Sequence, residues 1–516
     1  MNSVTTLNGA AARGRQHYGV TLAVLLVGAL AYALSQTLVV PALPEIQQQL
    51  HTSTTAVTFV LTGYLLTASV ATPIMGRLGD MFGKDRMLVV TLGVFALGSL
   101  VAALSQSIEV LIAGRAIQGV GGATFPLSFG IIRDEFPRER VAVGIGLISA
   151  TFGIGGGAGL VLSGVIVDHL DYEWIFWLAL IVVSGAIVAA HRFVPASPVR
   201  SPARIDWAGA ALLSAGLVAL LLAVSEGNSW GWGSARVVSL FAVAAVVLVA
   251  WIGYERRAPQ PLVDMRMMRD RAVLSTNLTA LLVGFGMFGS FILIPQFVET
   301  SPEAGFGFGA SVSEAGLYML PSAAVMLIAG PLAGWLGGRI GSKLPLQLGT
   351  LIASGSFVFL ALVHEEPWSI YLGTSLLGLG IGFSFASMAN LIVEAVDQRQ
   401  TGVATGMNTI MRTIGGSLGG QVAASIVAGH IVARSGLPEE AGYTAAFAMS
   451  AIGVGAAFLL AFTIPGRQAQ LRVAARPLSE PPDSSQPASA HPFARSTARR
   501  HSARRNSRSS SPIRGS

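Results

Sequence analysis

The chain has 516 residues, of which 52% are hydrophobic and only 11% carry a charged side chain. Soluble domains carry about 25% charged residues, so this composition excludes a soluble protein and predicts an integral membrane protein. The 61 glycines agree with that prediction, because small residues let membrane helices approach one another closely. The chain has no cysteine, which excludes disulfides, thiolate chemistry and cysteine-ligated metals.

The net charge of +7 belongs to the C-terminal tail. Residues 466–516 contain ten arginines and two acids, so the rest of the chain is close to neutral. The tail is rich in Ser, Pro and Arg and almost lacks aromatic residues, and we predict that it is disordered. A cationic segment beside a membrane gains about 1 kcal/mol per basic residue from anionic lipid. We therefore expect lipid headgroups, and not nucleic acid, as its partner.

Hydrophobic runs follow one another along the chain, each close to the roughly 20 residues that span a bilayer. We read the polar residues 1–17 as a cytoplasmic tail, because the apolar run after them ends in VVPALPEI and not at a signal-peptide cleavage site. The predicted membrane helices are 19–40, 56–75, 87–105, 109–131, 142–165, 174–194, 207–225, 236–254, 272–297, 313–336, 346–363, 368–394, 402–430 and 444–464.

The charges between the runs give an independent test of this count. Alternate loops are basic, such as the one with Arg138 and Arg140, and the intervening loops are acidic, such as the one with Glu365 and Glu366. Basic loops stay in the cytoplasm, and an odd number of helices would destroy the alternation. We therefore predict an all-α protein of the inner (plasma) membrane, with fourteen transmembrane helices and both termini cytoplasmic.

Two long polar breaks, 194–204 and 255–271, separate the seventh and eighth runs from two blocks of six. The predicted organisation is a tail (1–17), an N-terminal six-helix bundle (18–195), a two-helix insertion (196–260), a C-terminal six-helix bundle (261–465) and the basic tail (466–516).

A short motif supports an internal repeat. The spacing Gly76-x-Leu78-Gly79-x3-Gly83 recurs as Gly334-x-Leu336-Gly337-x3-Gly341, each after the second run of its block. Duplicated halves around a site at the membrane midplane are typical of secondary transporters.

Asp80, in the predicted loop 76–86, is a candidate for a conformational contact. A carboxylate there could face the N-terminus of a neighbouring helix, an interaction worth roughly 0.3–1 kcal/mol and up to about 2 kcal/mol when partly buried. Such a contact would hold one conformation closed. The alternative is an ordinary polar turn with basic residues that set the topology.

Two arginines lie within predicted membrane helices. Arg115 is several residues inside the fourth run, with Gln118 one turn further on, and Arg412 is in the thirteenth run. An arginine inside the membrane costs at least roughly 2.5–3.5 kcal/mol, so each should face a cavity or a partner, unless it reaches the interface instead. We find no acid in the middle of any run.

The fifth run is rich in glycine, including Gly155, Gly159 and Gly164. These glycines predict either a close-packing face or a bendable, gating element. No phosphate-binding loop, nucleophile elbow or metal-ligand cluster is evident. We therefore predict no enzymatic activity and no cofactor.

Taken together, these motifs resemble the major facilitator superfamily, specifically its fourteen-helix drug:proton antiporter branch, over about residues 18–465. Residues 76–86 resemble its signature loop, and Asp134 resembles an acid that pairs with that loop. Arg115 and Gln118 match a helix-four motif whose arginine is implicated in proton transfer. Residues 402–416 resemble its helix thirteen, and Tyr64 fits the helix-two pattern.

The resemblance implies a cytoplasmic latch, a proton relay and a central cavity. The latch would comprise Gly76, Asp80, Gly83, Lys84, Arg86 and Asp134, and the relay Arg115 and Gln118. The candidate cavity residues are Ser35, Gln36, Tyr64, Asn277, Asn390, Asn408 and Arg412. Three positions depart from the branch: Ser35 replaces an acid, Leu160 replaces the antiporter-motif proline, and Phe59 replaces a tryptophan. These departures bear on proton coupling and leave the expected fold unchanged.

The predicted function is alternating-access transport, with proton-coupled export of a small organic molecule or drug by a monomer. The alternatives are uptake or uniport of a specific metabolite, and a transporter-like membrane sensor that moves nothing.

Overall fold

The computed structural model describes residues 17–201, 204–431 and 437–466. Within these ranges the regular secondary structure elements are helices. The predicted tails 1–17 and 466–516 lie outside these ranges, apart from His17 and Gly466. The helices are α1 (Tyr18–Thr37), α2 (Val39–Gln49), α3 (Thr54–Phe82), α4 (Lys84–Ala103), α5 (Ile108–Gly119), α6 (Thr124–Glu135), α7 (Arg138–His169), α8 (Glu173–Phe193), α9 (Trp207–Ser225), α10 (Gly227–Trp230), α11 (Ala235–Glu255), α12 (Met265–Arg269), α13 (Arg271–Glu299), α14 (Val312–Ile340), α15 (Lys343–Leu362), α16 (Pro367–Ala395), α17 (Thr401–Ala428) and α18 (Glu440–Ala461).

Within the described ranges, twelve helices are long and apolar enough to cross a membrane: α1, α3, α4, α7, α8, α9, α11, α13, α14, α15, α16 and α18. Large apolar side chains such as Ile328 (70% exposed) and Leu362 (76% exposed) lie on their outer surface. A surface of this kind suits lipid and not water. The prediction of a multi-pass membrane protein is confirmed.

Two predicted runs are not among the twelve. The run 109–131 is not one helix. A 3-10 turn over Val120–Ala123, which contains the adjacent Gly121 and Gly122, separates α5 from α6. The run 402–430 forms α17, a helix of 28 residues whose Gly, Thr, Asn and Arg residues make it less apolar.

The prediction of a loop over 76–86 was wrong. Helix α3 continues to Phe82 and ends at Gly83, whose φ is +109°. This conformation suits glycine, which has no Cβ. Helix α14 ends in the same way at Gly341, with φ of +90°. The sequence repeat is therefore a structural repeat, namely the last turns of a helix closed by a positive-φ glycine.

Helices α7 and α14 pack together over most of their length. A Cβ added at Gly146 would collide with the Gly330 carbonyl, one at Gly157 would lie 2.8 Å from the Ala323 Cβ, and one at Gly164 would meet Ser313. We call this line of contacts the α7–α14 seam. Elsewhere α3 and α13 pack against α17, and α9 packs against α11 and α3.

Gly155 and Gly159, the other two glycines singled out in α7, face α1. A Cβ at Gly155 would lie 2.6 Å from the Ala33 Cβ, and one at Gly159 would collide with the Thr37 hydroxyl. Helix α7 is continuous from Arg138 to His169. The structure thus places all three glycines in helix–helix contacts, and their role in gating stays a prediction.

Candidate functional site

Asp80 lies on the last turn of α3 and caps the N-terminus of α17. Its Oδ1 accepts a hydrogen bond from the Gly402 amide and its Oδ2 accepts one from the Val403 amide, both at 3.1 Å. The first amides of a helix have no partner within it, and the helix dipole favours an anion there. Asp80 therefore joins two helices that are more than 300 residues apart in sequence.

Lys84 forms ion pairs with two acids, Asp80 and Asp134. Its Nζ lies 3.4 Å from Asp80 Oδ1 and 2.8 Å from Asp134 Oδ2, and the Lys84 and Asp80 side chains are fully buried. Because both acids face one ammonium group, the buried charge is partly balanced by the ion pairs. We call Asp80, Lys84, Asp134 and the first turn of α17 the latch cluster.

Two glycines of the predicted latch shape this contact, and one predicted residue is absent from it. A Cβ at Gly76 would lie 2.5 Å from the Gly402 carbonyl oxygen, so α3 and α17 touch backbone to backbone. Gly83 ends α3 directly before Lys84. Arg86 is exposed, and none of the described hydrogen bonds or ion pairs joins it to the latch cluster.

Arg133 contributes a second contact at this end that the sequence analysis missed. Its guanidinium donates to the Thr401 hydroxyl (2.6 Å) and to the Val396 carbonyl (2.7 Å). It therefore joins α6 to the first residue of α17 and to the residue that follows α16. The only signal in the sequence is its position beside Asp134, close to the basic residues Arg138 and Arg140.

Arg115 is buried among oxygen acceptors in the first half of the chain. It donates to the Val60 carbonyl (3.1 Å), the Ser35 carbonyl (3.1 Å) and Gln118 Oε1 (2.7 Å). Its guanidinium carbon lies 4.1 Å from the centre of the Tyr64 ring. These contacts satisfy much of the guanidinium without a carboxylate, and they bring the relay candidate Gln118 together with the cavity candidates Ser35 and Tyr64.

We expect Arg115→Lys to lower transport at least tenfold and to lower the thermal midpoint of the purified protein. Lysine carries its charge at one nitrogen, so it cannot reach the Val60, Ser35 and Gln118 oxygens together, and buried acceptors left unpaired cost about 1–3 kcal/mol each. Transport and thermal unfolding would be measured beside Arg138→Lys, a conservative change at an exposed arginine. Unchanged transport and stability would show that the fork geometry of Arg115 is dispensable.

Arg412 is buried on α17 between two aromatic rings. Its guanidinium carbon lies 4.2 Å from the centre of the Phe152 ring on α7 and 4.4 Å from that of Phe385 on α16. Its side chain is 7% exposed. It has no hydrogen-bond or ion-pair partner among the described residues.

The remaining cavity candidates do not form one cluster with Arg412. Asn408 donates to Asn277 Oδ1 at 2.9 Å, which joins α17 to α13. Asn390 donates to the Ala142 carbonyl at 3.3 Å and therefore lies beside the α7–α14 seam. The buried Ser35 hydroxyl has no partner in the described structure, and Gln36 is half-buried.

The other end of the molecule carries acidic groups near one another. Glu45, on α2, accepts a hydrogen bond from Gln49 at 2.7 Å. Burial and the nearby Asp171 and Glu173 carboxylates raise the pKa of Glu45 above its usual value. This end therefore differs in charge from the latch end, where Lys84 and Arg133 accompany the acids.

Three comparisons identify the family of this molecule. The family model of the Major Facilitator Superfamily matches residues 25–420. The tetracenomycin C resistance and export protein of Streptomyces glaucescens is 30% identical over 388 residues, which cover 74% of this chain and 71% of that protein. The multidrug transporter protein MdtP of Bacillus subtilis is also 30% identical, over 74% of this chain and 70% of its own.

A solved structure has the same fold. The crystal structure of the human organic anion transporter MFSD10 (TETRAN) matches 86% of this chain and 99% of its own, with a TM-score of 0.63 and 17% identity. At that identity the likeness concerns the fold alone. The family match and the two bacterial relatives confirm the resemblance found in the sequence: the chain belongs to the major facilitator superfamily.

Proposed function

We propose that the protein is a secondary transporter that exports a small organic molecule in exchange for protons, by alternating access. The observation that carries the proposal is the capping of α17 by Asp80, because a charged contact between the two halves can close one end and be broken. The names of the two bacterial relatives describe resistance, export and multidrug transport, and they favour export over uptake or sensing.

The proposed membrane topology has fourteen crossings. It adds to the twelve apolar helices a broken crossing of α5 and α6 and a polar crossing of α17. At about 1.5 Å per residue, the 28 residues of α17 are long enough for a hydrocarbon layer of roughly 30 Å. The division is six helices, two inserted helices (α9 and α11) and six helices.

Basic residues concentrate at the latch end, so we place that end in the cytoplasm, with both termini. We further propose that the protein acts as a monomer and that its basic tail contacts anionic lipid.

In the proposed cycle the latch cluster closes the cytoplasmic end while the substrate leaves on the other side. Opening that end requires α3 to separate from the N-terminus of α17, which breaks the two Asp80 hydrogen bonds. A proton that passes Arg115 and Gln118 and is accepted by the Asp80 carboxylate would release the latch, because it removes the negative charge that caps α17. Ser35 occupies the position at which the drug:proton antiporter branch has an acid. The proposed proton coupling therefore does not use a carboxylate at residue 35.

The test is efflux of fluorescent cationic, neutral and anionic compounds from cells that express the protein. We expect export of at least one compound, and we expect a protonophore to abolish it. Cells with an equal amount of the Arg115→Lys variant serve as the comparison. Accumulation in expressing cells would instead indicate uptake. Retention of every compound, with the protein present in the membrane, would contradict export of such molecules.

A further inference from the structure

Two positive charges lie in the interior of the molecule without acidic partners. In the described part of the chain, the ion pairs join Lys84 to two acids and His364 to Glu440, and none includes Arg115 or Arg412. Burying a charge is costly unless it is paired or hydrogen-bonded. The centre of the protein is therefore positively charged before any ligand enters.

Arg412 has more unused donors than Arg115, whose Nη2 alone is left without a partner in the described structure. Arg115 donates to three oxygens from Nε and Nη1, whereas the Arg412 guanidinium lies over the rings of Phe152 and Phe385 and has no hydrogen bond to any described residue. Guanidinium presents five N–H donors in a planar fork that matches a carboxylate. A buried guanidinium without hydrogen-bond acceptors can therefore donate to an anionic group of a bound ligand.

Arg412 also lies between helices of the two predicted six-helix bundles. It belongs to α17 and contacts Phe152 of α7 and Phe385 of α16, and the α7 and α16 rings are themselves in edge contact at 5.8 Å. Residue 412 is about 17 Å along α17 from its start at 1.5 Å per residue, which is close to the middle of that helix. This is the position expected of a substrate site in a protein built from two halves.

An aromatic surface leads from Arg412 towards Arg115. Phe152 stacks on Phe125 at 3.8 Å, Phe125 meets Tyr32 at 5.9 Å, and Tyr32 stacks on Tyr64 at 5.4 Å. Tyr64 in turn lies against Arg115. The faces of Phe152 are covered by Phe125 and by the Arg412 guanidinium, so this row of rings offers a planar ligand ring edges for T-shaped contacts.

We infer that the substrates are planar aromatic molecules that carry a negatively charged oxygen, such as a carboxylate, and that Arg412 binds this group. The inference rests on the proposed transport function and specifies the chemistry of its substrate. The ring system would pack against Phe152 and Phe385, and the anion would accept hydrogen bonds from the Arg412 fork. A cationic substrate would meet the like charge of Arg412 there, which has no acidic partner among the described residues.

The test uses three probes that share one fluorescent ring system and carry a negative, a neutral or a positive substituent: 9-anthracenecarboxylate, 9-anthracenemethanol and 9-anthracenemethylammonium. Binding to the full chain in lipid nanodiscs would be followed by fluorescence anisotropy. We expect the carboxylate to bind at least tenfold more tightly than the other two. Arg412→Gln should weaken carboxylate binding at least tenfold, about 1.4 kcal/mol, and change methanol-probe binding less than twofold.

Two further variants keep the test decisive. Arg412→Lys should give an intermediate carboxylate affinity, because it keeps the charge and loses the fork. Arg339→Gln is the matched control, since Arg339 also lies over an aromatic ring, 4.0 Å from the centre of Trp335, but is exposed. It should leave all three affinities unchanged. Unaltered carboxylate binding in both Arg412 variants, or equal binding of the three probes to the native chain, would overturn the inference.

The same probes separate this inference from the proposed function. Protonophore-sensitive efflux of the ammonium probe, without Arg412-dependent carboxylate binding, would support export and overturn the anionic substrate class. Arg412-dependent binding of the carboxylate without efflux of any probe would support the site and contradict export.

Discussion

Asp80→Asn is expected to abolish transport while the protein stays in the membrane. The carboxylate of Asp80 accepts two amide hydrogen bonds from α17 and faces the Lys84 ammonium. Asparagine has the same shape but one acceptor oxygen and no charge. Hydrogen bonds to charged groups contribute about 1.5–3 kcal/mol, so losing one would shift the balance between closed and open states by at least tenfold.

Asp270→Asn is the matched control for this change. Asp270 also accepts hydrogen bonds from two amides at a helix N-terminus, those of Ala272 and Val273, but the helix is its own and the side chain is exposed. Asparagine caps helices as well as aspartate does, so transport should be unchanged. The measurement is efflux at matched protein levels in the membrane. Full activity of Asp80→Asn would refute the role of the latch cluster.

Gly330→Leu is expected to have an effect of similar size through packing alone. A Cβ at Gly330 would collide with the Gly146 carbonyl oxygen and lie 3.1 Å from the Ala150 Cβ. Overpacking of this kind costs about 1–3 kcal/mol, and here the obstacle is backbone, which cannot change rotamer. We expect α7 and α14 to separate at this level and transport to fall at least tenfold.

Gly338→Leu, on the same helix, should be tolerated, because a Cβ there meets no other atom within 4 Å. Separation of the helices can be measured with a single cysteine, since the chain has none of its own. Asn390→Cys replaces a buried residue that contacts Ala142 of α7. Its maleimide labelling should be faster in Gly330→Leu than in Gly338→Leu. If Gly330→Leu and Gly338→Leu showed equal labelling rates and equal transport, close packing of α7 against α14 at Gly330 would not be required for transport.

The positions of the membrane helices could be predicted from the sequence because hydropathy reports directly on burial in lipid. Their ends could not. The apolar run of α3 stops near residue 75, but its hydrogen-bonded turns continue until the positive φ of Gly83 prevents another turn. For the same reason Asp80 was predicted in a loop and lies on a helix.

The charged residues of the candidate site could be predicted from the sequence. Arg115, Arg412 and Asp80 were conspicuous because charged residues are rare in this composition. Phe152 and Phe385 could not be distinguished in the sequence from phenylalanines that face lipid. The contacts of Arg133 depend on how α6 meets α16 and α17, which no local pattern records.

The α7–α14 seam has a consequence for the speed of the transport cycle. Gly146 and Gly164 lie about 27 Å apart along α7 at 1.5 Å per residue, so the contact extends over much of the membrane. Interlocked side chains must change rotamer before two helices can slide, whereas the glycines of the seam have no side chains to move. We therefore expect a low activation barrier for sliding of α14 along α7, with the rate of exchange limited by contacts elsewhere, such as the latch cluster.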